Sequence, residues 1–256
     1  MRDNRALLVI SFGTAYQETR AHTIDAIEQD LAASFPERRF YRAWTSSFIR
    51  RKLKDAGIAI DSAAEAMERM ADDGITDVLI QPTHMLAGEE FDRLCSELSE
   101  RKERFDLISL GAPLLAEEED AASLAKLLPE IGPALNEKEM MVWMGHGSSH
   151  KELPVYSILN EMTPAEHCVG TIEGTPDFAD VLALVRARKP EKVFLAPLMV
   201  VAGGHAVRDM AGDSPSSWKS QLQKEGLTVE CIFKGMGEYE QVRAMYTAHA
   251  RRARPL

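Results

Sequence analysis

Two histidines stand in glycine-rich segments that directly follow apolar runs. His146 lies in GHGSSH after MMVWM, and His205 lies in AGGHAVRDM. Flanking glycines let the backbone approach a ligand closely and leave an imidazole accessible. Because a neutral imidazole binds divalent metals and can also act as a general base, we predict that these two histidines centre a metal-handling site. The alternatives are a turn-capping role for His146 and a bond from His205 to a backbone carbonyl.

Two carboxylates are candidates for the same chemistry. Glu173 ends the apolar run CVGTIE and precedes Gly174, which suits a proton acceptor or a metal ligand. Glu90 follows Glu89 in LAGEE, a pattern equally typical of the acidic first turn of a helix. Either glutamate alone is more typical of an ordinary surface residue than of a site.

The remaining histidines are weaker candidates. His84, in QPTHML, also follows an apolar run, so we include it among the possible ligand contacts. His150 is exposed by pattern, and we interpret three others as structural or solvated: His22, His167 and His249.

Several familiar functional motifs are absent from the sequence. It contains no GxGxxG after the first apolar run and no GxxxxGK[ST], which disfavours dinucleotide and P-loop functions. HExxH and GxSxG are also missing, although Ser148 close to His146 leaves a hydrolase as a third interpretation. GHG resembles the Arg-His-Gly turn of some phosphatases, but Gly145 stands where the arginine would be.

Short apolar runs alternate with amphipathic stretches along the chain. Runs such as LLVI and VFLAPLMVV suit strands that are buried on both faces, and alternation with helices predicts an α/β fold with doubly wound parallel sheets. The predicted strands are residues 6–11, 40–45, 77–82, 107–111, 140–145, 168–173, 192–197 and 229–233.

The two halves of the chain resemble each other weakly but in a consistent order. Residues 8–14 align with 142–148, and residues 78–82 align with 193–197, a register that sets Glu90 against His205. A proline- and charge-containing segment at 127–139 marks the join. We therefore predict an N-terminal lobe over 1–130 and a C-terminal lobe over 131–256, whose last helix could pack back on the first lobe; chance similarity of buried strands is the alternative.

Ligands of open α/β sheets bind beyond the carboxyl ends of the strands. Most of the distinctive polar segments of this chain, including SFGT, WTSS and THMLAGEE, follow predicted strands. Besides the metal and proton-transfer candidates, the residues predicted to contact a ligand there are Ser11, Gly13, Thr45, Ser46, His84 and Gly147.

Composition limits the partners. With 45% apolar and 27% charged residues the chain is ordinary globular protein, and a net charge of -10 argues against nucleic acid. Three scattered cysteines predict reduced buried thiols and a cytoplasmic location, and no apolar run is long enough to span a membrane. A basic cluster over residues 42–54 suits either a ligand's carboxylates or solvent, and we expect the C-terminal RRARPL to be frayed.

Taken together, these segments resemble the anaerobic sirohydrochlorin cobaltochelatase family of class II tetrapyrrole chelatases, which includes ferrochelatase. The resemblance of this chain to the family runs over nearly the whole chain. It is carried by the order and spacing of ALLVISFGT, RAWTSSFIRRKL, DVLIQPTHMLAGEE, VWMGHGSSH, VGTIEGTPD, LAPLMVVAGGHAVRDM and SWKSQL. The resemblance implies two lobes related by a pseudo-twofold axis with a cleft between them. It also implies metal ligands at His146, His205 and Glu90, with Glu173 or His146 accepting protons.

The activity that this resemblance implies is insertion of Co(II) into sirohydrochlorin on the anaerobic route to cobalamin, without a nucleotide. Co(II) would be bound in the site as a substrate, and a homo-oligomer is compatible with the sequence. Two other functions stay open: insertion of Fe(II) or Ni(II) into the same ring, and a non-catalytic carrier of metal or tetrapyrrole.

Overall fold

The structure is a computed structural model that describes residues 4–148 and 154–256. The chain divides into two compact units, one formed by Met1–Ala116 with Glu240–Leu256 and the other by Glu117–Tyr239. Within the described ranges, no helix is long and apolar enough to cross a lipid bilayer.

The first unit contains a five-stranded sheet in the order β2-β1-β3-β4-β9, in which the first four strands are parallel. Its even-numbered β1 residues face a core with α4 and α5, whereas α2 and α10 pack near the opposite face. The strands are β1 Arg5–Ser11, β2 Arg39–Trp44, β3 Asp77–Pro82, β4 Leu107–Leu110 and β9 Arg254–Pro255. The helices are α1 Gln17–His22, α2 Ile24–Ser34, α3 Ser47–Asp55, α4 Ala63–Asp72, α5 Glu89–Ser99 and α10 Glu240–Arg251.

The second unit contains a four-stranded parallel sheet in the order β6-β5-β7-β8. One face packs against α8, α9 and a short π-helix, Ala206–Met210, and α7 packs against the edge strand β6. The strands are β5 Glu139–Gly147, β6 His167–Glu173, β7 Lys192–Leu198 and β8 Thr228–Cys231. The helices are α6 Glu118–Ile131, α7 Val155–Met162, α8 Phe178–Arg188 and α9 Trp218–Lys224.

The predicted α/β class with parallel sheets is confirmed. All eight predicted strands are present, with ends that differ from the prediction by at most two residues. The order β2-β1-β3-β4 of the first sheet is repeated as β6-β5-β7-β8 in the second, so β1 corresponds to β5 and β3 to β7. This is the correspondence that the alignment of residues 8–14 with 142–148, and of 78–82 with 193–197, predicts.

Unit limits and predicted lobe limits differ at α6, which lies almost wholly before residue 131 but packs with α7 in the second unit. Helix α10 packs with α2 and β3 of the first unit, the packing that the lobe prediction allowed for the last helix. The expectation of a frayed C-terminus is wrong. Arg254 and Pro255 pair antiparallel with Leu110 and Ser109, and Leu256 packs against the core of the first unit.

Candidate functional site

His146 lies at the carboxyl end of the central strand of the second unit. The six residues before it in β5 are buried, whereas the imidazole is exposed. Both neighbouring glycines are explained by close packing. A Cβ on Gly145 would lie 2.7 Å from the Tyr156 ring, and one on Gly147, whose φ is +87°, would lie 1.6 Å from the Glu173 carbonyl oxygen. The turn is therefore tight, and it holds His146 next to the end of β6.

His205 follows β7, the strand that neighbours β5 on the other side from β6. It has helical backbone angles and directly precedes the π-helix, which Ala206 and Met210 anchor in the core. Its Nδ1 lies 2.7 Å from Oδ2 of Asp209, and its side chain is 40% exposed. His205 is thus held by a carboxylate on one side and accessible on the other.

The structure brings the two predicted histidines together. The ring centroids of His146 and His205 are 4.8 Å apart, and the rings are nearly perpendicular at 84°. Two imidazoles in contact at the carboxyl edge of a sheet can converge on one divalent cation. In the part of the chain that the structure describes, no group of three or more histidine, cysteine, aspartate or glutamate side chains could hold a metal ion.

Glu173 is the last residue of β6 and lies opposite Gly147 in the β5–β6 ladder. Its side chain is exposed. An exposed carboxylate one ladder position from His146 is accessible to a ligand that reaches the imidazole pair.

Glu90 belongs to the first unit, in the first turn of α5. Its Oε1 lies 3.5 Å from Nη1 of Arg93, and its side chain is 45% exposed. Glu90 and His205 each follow the third strand of their own sheet, as the sequence alignment predicts. Because Arg93 also pairs with Glu89, the ordinary helix-start interpretation accounts for these contacts as well.

The residues predicted to contact substrate have different local roles. The Ser11 hydroxyl is buried and accepts a hydrogen bond from Thr83 Oγ1, and Ser46 caps α3 by accepting from Ile49 N. Gly13 has φ +101°, and a Cβ there would lie 2.5 Å from the Trp44 ring. The hydroxyl of Thr45 is buried and has no hydrogen-bond partner among the described residues. Their contact with substrate stays a prediction.

His84 is the most unusual of this group. Its side chain is buried at the end of β3, and neither ring nitrogen has a hydrogen-bond partner among residues 4–148 and 154–256. Burial lowers its pKa from 6.5 to about 4, so the imidazole is neutral in the folded protein.

Replacing His84 by leucine is expected to flatten the acid limb of the stability profile. The folded pKa of His84 lies below its unfolded value, so its contribution is complete above pH 6.5 and is lost as the pH falls towards 4. The loss amounts to about 3–4 kcal/mol at most, at ~1.4 kcal/mol per pKa unit. Urea unfolding at several pH values checks this, with the exposed His22→Leu as control; an unchanged slope in His84→Leu would contradict it.

The predicted basic cluster is partly occupied by internal ion pairs. The Arg42 guanidinium bonds the buried Glu28 carboxylate, and its Nη2 lies 2.6 Å from Oδ1 of Asp25. Arg50 pairs with Glu65 at 3.3 Å. These two arginines therefore stabilise the first unit, and the exposed cations of α3 are the ones accessible to a ligand.

Two features at the carboxyl edges of the two sheets were missed by the sequence analysis. One is the contact between Asp209 and His205. Their spacing could have indicated it, because residues four apart share a helix face. The other is the exposure of Phe12 and Phe48, at 49% and 73%. The Phe12 backbone is bonded to the residue that caps the helix of Phe48, because Ser46 N donates to Phe12 O at 3.2 Å.

The three cysteines are free thiols. Cys168 is buried, which raises its pKa to about 12, and Cys95 and Cys231 are half-buried. The prediction of reduced thiols is confirmed, and the prediction of full burial holds for Cys168 alone of the three.

The comparison with solved structures defines the class of fold. The sirohydrochlorin chelatase SirB of Bacillus subtilis subspecies spizizenii, solved in complex with cobalt, matches with a TM-score of 0.57 and 14% identity, covering 96% of this chain and 94% of that one. The fold is thus that of the class II tetrapyrrole chelatases.

Sequence comparison narrows the class to one family. The model of the cobalt chelatase (CbiK) family matches residues 5–254, and the chain belongs to this family of metal chelatases. It is 39% identical to the sirohydrochlorin cobaltochelatase of Salmonella typhimurium strain LT2, over 97% of this chain and 96% of that protein. It is 31% identical to sirohydrochlorin cobaltochelatase CbiKC of Nitratidesulfovibrio vulgaris strain Hildenborough, over 92% and 86%.

Proposed function

We propose that this chain is a sirohydrochlorin cobaltochelatase that inserts Co(II) into sirohydrochlorin in anaerobic cobalamin biosynthesis. The observation that carries the proposal is the contact between His146 and His205, with ring centroids 4.8 Å apart at the carboxyl edge of one sheet. Membership of the cobalt chelatase family and the names of the two curated relatives support the choice of metal and ring.

The residue types suit a metal that must be passed on. Imidazole and carboxylate bind Co(II) with moderate strength, whereas thiolates would retain it. His146 and His205 hold the ion, and we assign Glu90 as a further ligand because it occupies the place in the first unit that His205 occupies in the second. With only these three protein ligands, coordination positions of Co(II) stay open for the ring nitrogens.

Insertion also needs a base. Four Co–N bonds form to the ring; two of the four nitrogens carry hydrogen, so two N–H bonds break and two protons leave the ring as the imidazole–Co(II) bonds break. We assign the exposed Glu173 as proton acceptor, one ladder position from the His146 turn. His146 is a second acceptor once the metal has left it. The net reaction consumes Co(II) and the metal-free ring and releases the metallated ring and two protons, with no nucleotide.

We further propose that the exposed face of α3 contacts the macrocycle. Phe48, Arg51 and Lys52 are three and four residues apart, so they share a helix face, and all three are exposed. Phe12, which corresponds to His146 in the alignment of the two units, lies beside this helix. Aromatic rings suit the ring face, and the cations suit a substrate that bears many carboxylates.

The double variant Arg51→Gln/Lys52→Gln is expected to raise KM for sirohydrochlorin roughly three- to tenfold with little change in kcat, because exposed ion pairs contribute little each. High salt should diminish the difference from wild type. Steady-state kinetics at two ionic strengths measure this. The matched control is Lys102→Gln/Arg104→Gln, which also removes two exposed positive charges but lies just before β4, at the amino end of that strand. An equal KM in both double variants would contradict the assignment.

The test of the function is a metal-insertion assay with Co(II), Fe(II) and Ni(II) side by side on sirohydrochlorin. The proposal expects the largest acceleration over the uncatalysed reaction with Co(II). Faster insertion of Fe(II) or Ni(II) at equal free metal would move the assignment to that metal. Binding of ring or metal without acceleration would indicate a carrier.

A further inference from the structure

The carboxylate of Asp209 is directed at His205. Asp209 Oδ2 and His205 Nδ1 are 2.7 Å apart, a short charge-assisted hydrogen bond. Both side chains are partly exposed, at 42% and 40%, so neither is held in place by burial. The bond itself therefore sets the orientation of the imidazole.

The backbone that carries Asp209 forms an unusual and closely packed turn. Residues Ala206–Met210 form a single π-turn, closed by a bond from Ala211 N to Ala206 O of 3.1 Å. Ala206 and Met210 are fully buried at its two ends, and a Cβ on Gly212 would lie 2.4 Å from the Arg208 carbonyl oxygen. Such π-turns occur frequently at functional sites. This one fixes Asp209 opposite His205 without burying either side chain.

The hydrogen bond also decides which ring nitrogen is available. A carboxylate accepts, so the Nδ1 of a neutral His205 carries the proton and Nε2 keeps its lone pair. Nε2 is on the opposite side of the ring from Asp209, and the ring is in edge contact with His146. Histidines that bind metals are commonly oriented in this way by a carboxylate on the other nitrogen.

We propose that Asp209 is the positioning residue of the metal site: it holds His205 as the Nδ1–H tautomer and presents Nε2 to Co(II). The proposal rests on the proposed function in that it takes His205 as a ligand for the substrate metal. Asp209 does not touch the ring or the metal. Its role is to hold the His205 imidazole in the orientation and tautomer that bind metal, so that Co(II) binding does not have to reorient the ring.

The test measures Co(II) binding without the macrocycle, together with the tautomer of His205. Asp209→Ala is expected to raise the Kd for Co(II) roughly 10- to 100-fold, the usual effect of losing such a partner. Asp209→Asn, whose side-chain oxygen still accepts from Nδ1, should fall between Asp209→Ala and wild type. Asp213→Asn is the matched control, because it removes a carboxylate that is fully exposed and lies four residues away. We expect its Kd to equal that of wild type.

The tautomer supplies a readout that a merely structural role would not move. Nitrogen-15 NMR of the metal-free protein, well above the ordinary pKa of histidine, should show His205 protonated at Nδ1 in wild type and a mixture or the Nε2–H form in Asp209→Ala. An unchanged Kd in Asp209→Ala, or a wild-type His205 protonated at Nε2, would overturn the proposal. If Asp209→Ala does not fold, Asp209→Asn and the wild-type spectrum decide.

These outcomes are distinguishable from a failure of the proposed function. If wild type binds Co(II) with the expected dependence on Asp209 but does not accelerate insertion, the positioning role stands and the chelatase assignment fails. If wild type turns over and Asp209→Ala binds Co(II) as tightly, the positioning role alone fails.

Discussion

Replacing His146 or His205 by alanine is expected to lower kcat for Co(II) insertion ~100-fold or more, because losing only an outer partner of a metal ligand already costs about 10- to 100-fold and these two are the proposed ligands themselves. The two imidazoles, whose ring centroids are 4.8 Å apart, are proposed to hold one ion together. The double variant should be little worse than either single variant, since residues that act as one unit are not additive. Rates of Co(II) insertion, with the exposed His22→Ala as control, measure the effect.

The result that would count against the site is near-normal kcat in both single variants. Equal losses that simply multiply in the double variant would indicate two separate contributions instead of one shared ion.

Gly147→Ala is expected to damage both folding and activity. Its new Cβ would lie 1.6 Å from the Glu173 carbonyl oxygen, a backbone atom, so the ends of β5 and β6 must separate. That separation moves His146 and Glu173 apart. We expect a loss of about 1–3 kcal/mol of folding free energy from overpacking, beyond the cost of the positive φ itself.

Gly226→Ala is the matched control for this prediction. Gly226 has φ +83°, close to +87° at Gly147, and a Cβ there meets nothing within 4 Å. Urea unfolding gives the loss of folding free energy for each variant. Subtracting the loss in Gly226→Ala from that in Gly147→Ala isolates the effect of the steric clash with Glu173. Equal destabilisation by the two substitutions would show that the turn relaxes freely, and normal chelation by Gly147→Ala would show that its tightness is not needed.

Sequence patterns predict the sheets of this protein well, for a physical reason. Strands buried on both faces must be apolar throughout, so LLVI and VFLAPLMVV identify β1 and β7 directly. The internal alignment is also informative, because equivalent strands occupy equivalent places in two sheets of the same order. Ligand-binding edges then follow from strand direction, which is how His146 and His205 are found.

Side-chain partnerships are less accessible to the same reasoning. From the sequence, Arg42 is a candidate cation for binding a ligand's carboxylates. In the structure it pairs with Glu28 and Asp25 of α2, and this pairing depends on how α2 packs on the sheet. The glycines around His146 suggest room for a ligand, whereas they are required by Tyr156 and by the backbone of Glu173. The pairing of Arg254 with Leu110 likewise depends on α10 returning the chain to the first unit.

The most direct test of the central claim is the number of product molecules formed per polypeptide when sirohydrochlorin and Co(II) are in large excess. Insertion followed by the absorption change of the ring, in wild type and in His146→Ala/His205→Ala, gives this number after subtraction of the uncatalysed rate. We predict many turnovers for wild type and none above background for the double variant. Product formation that stops at one equivalent, or equal rates in the two proteins, would contradict catalysis at the histidine pair.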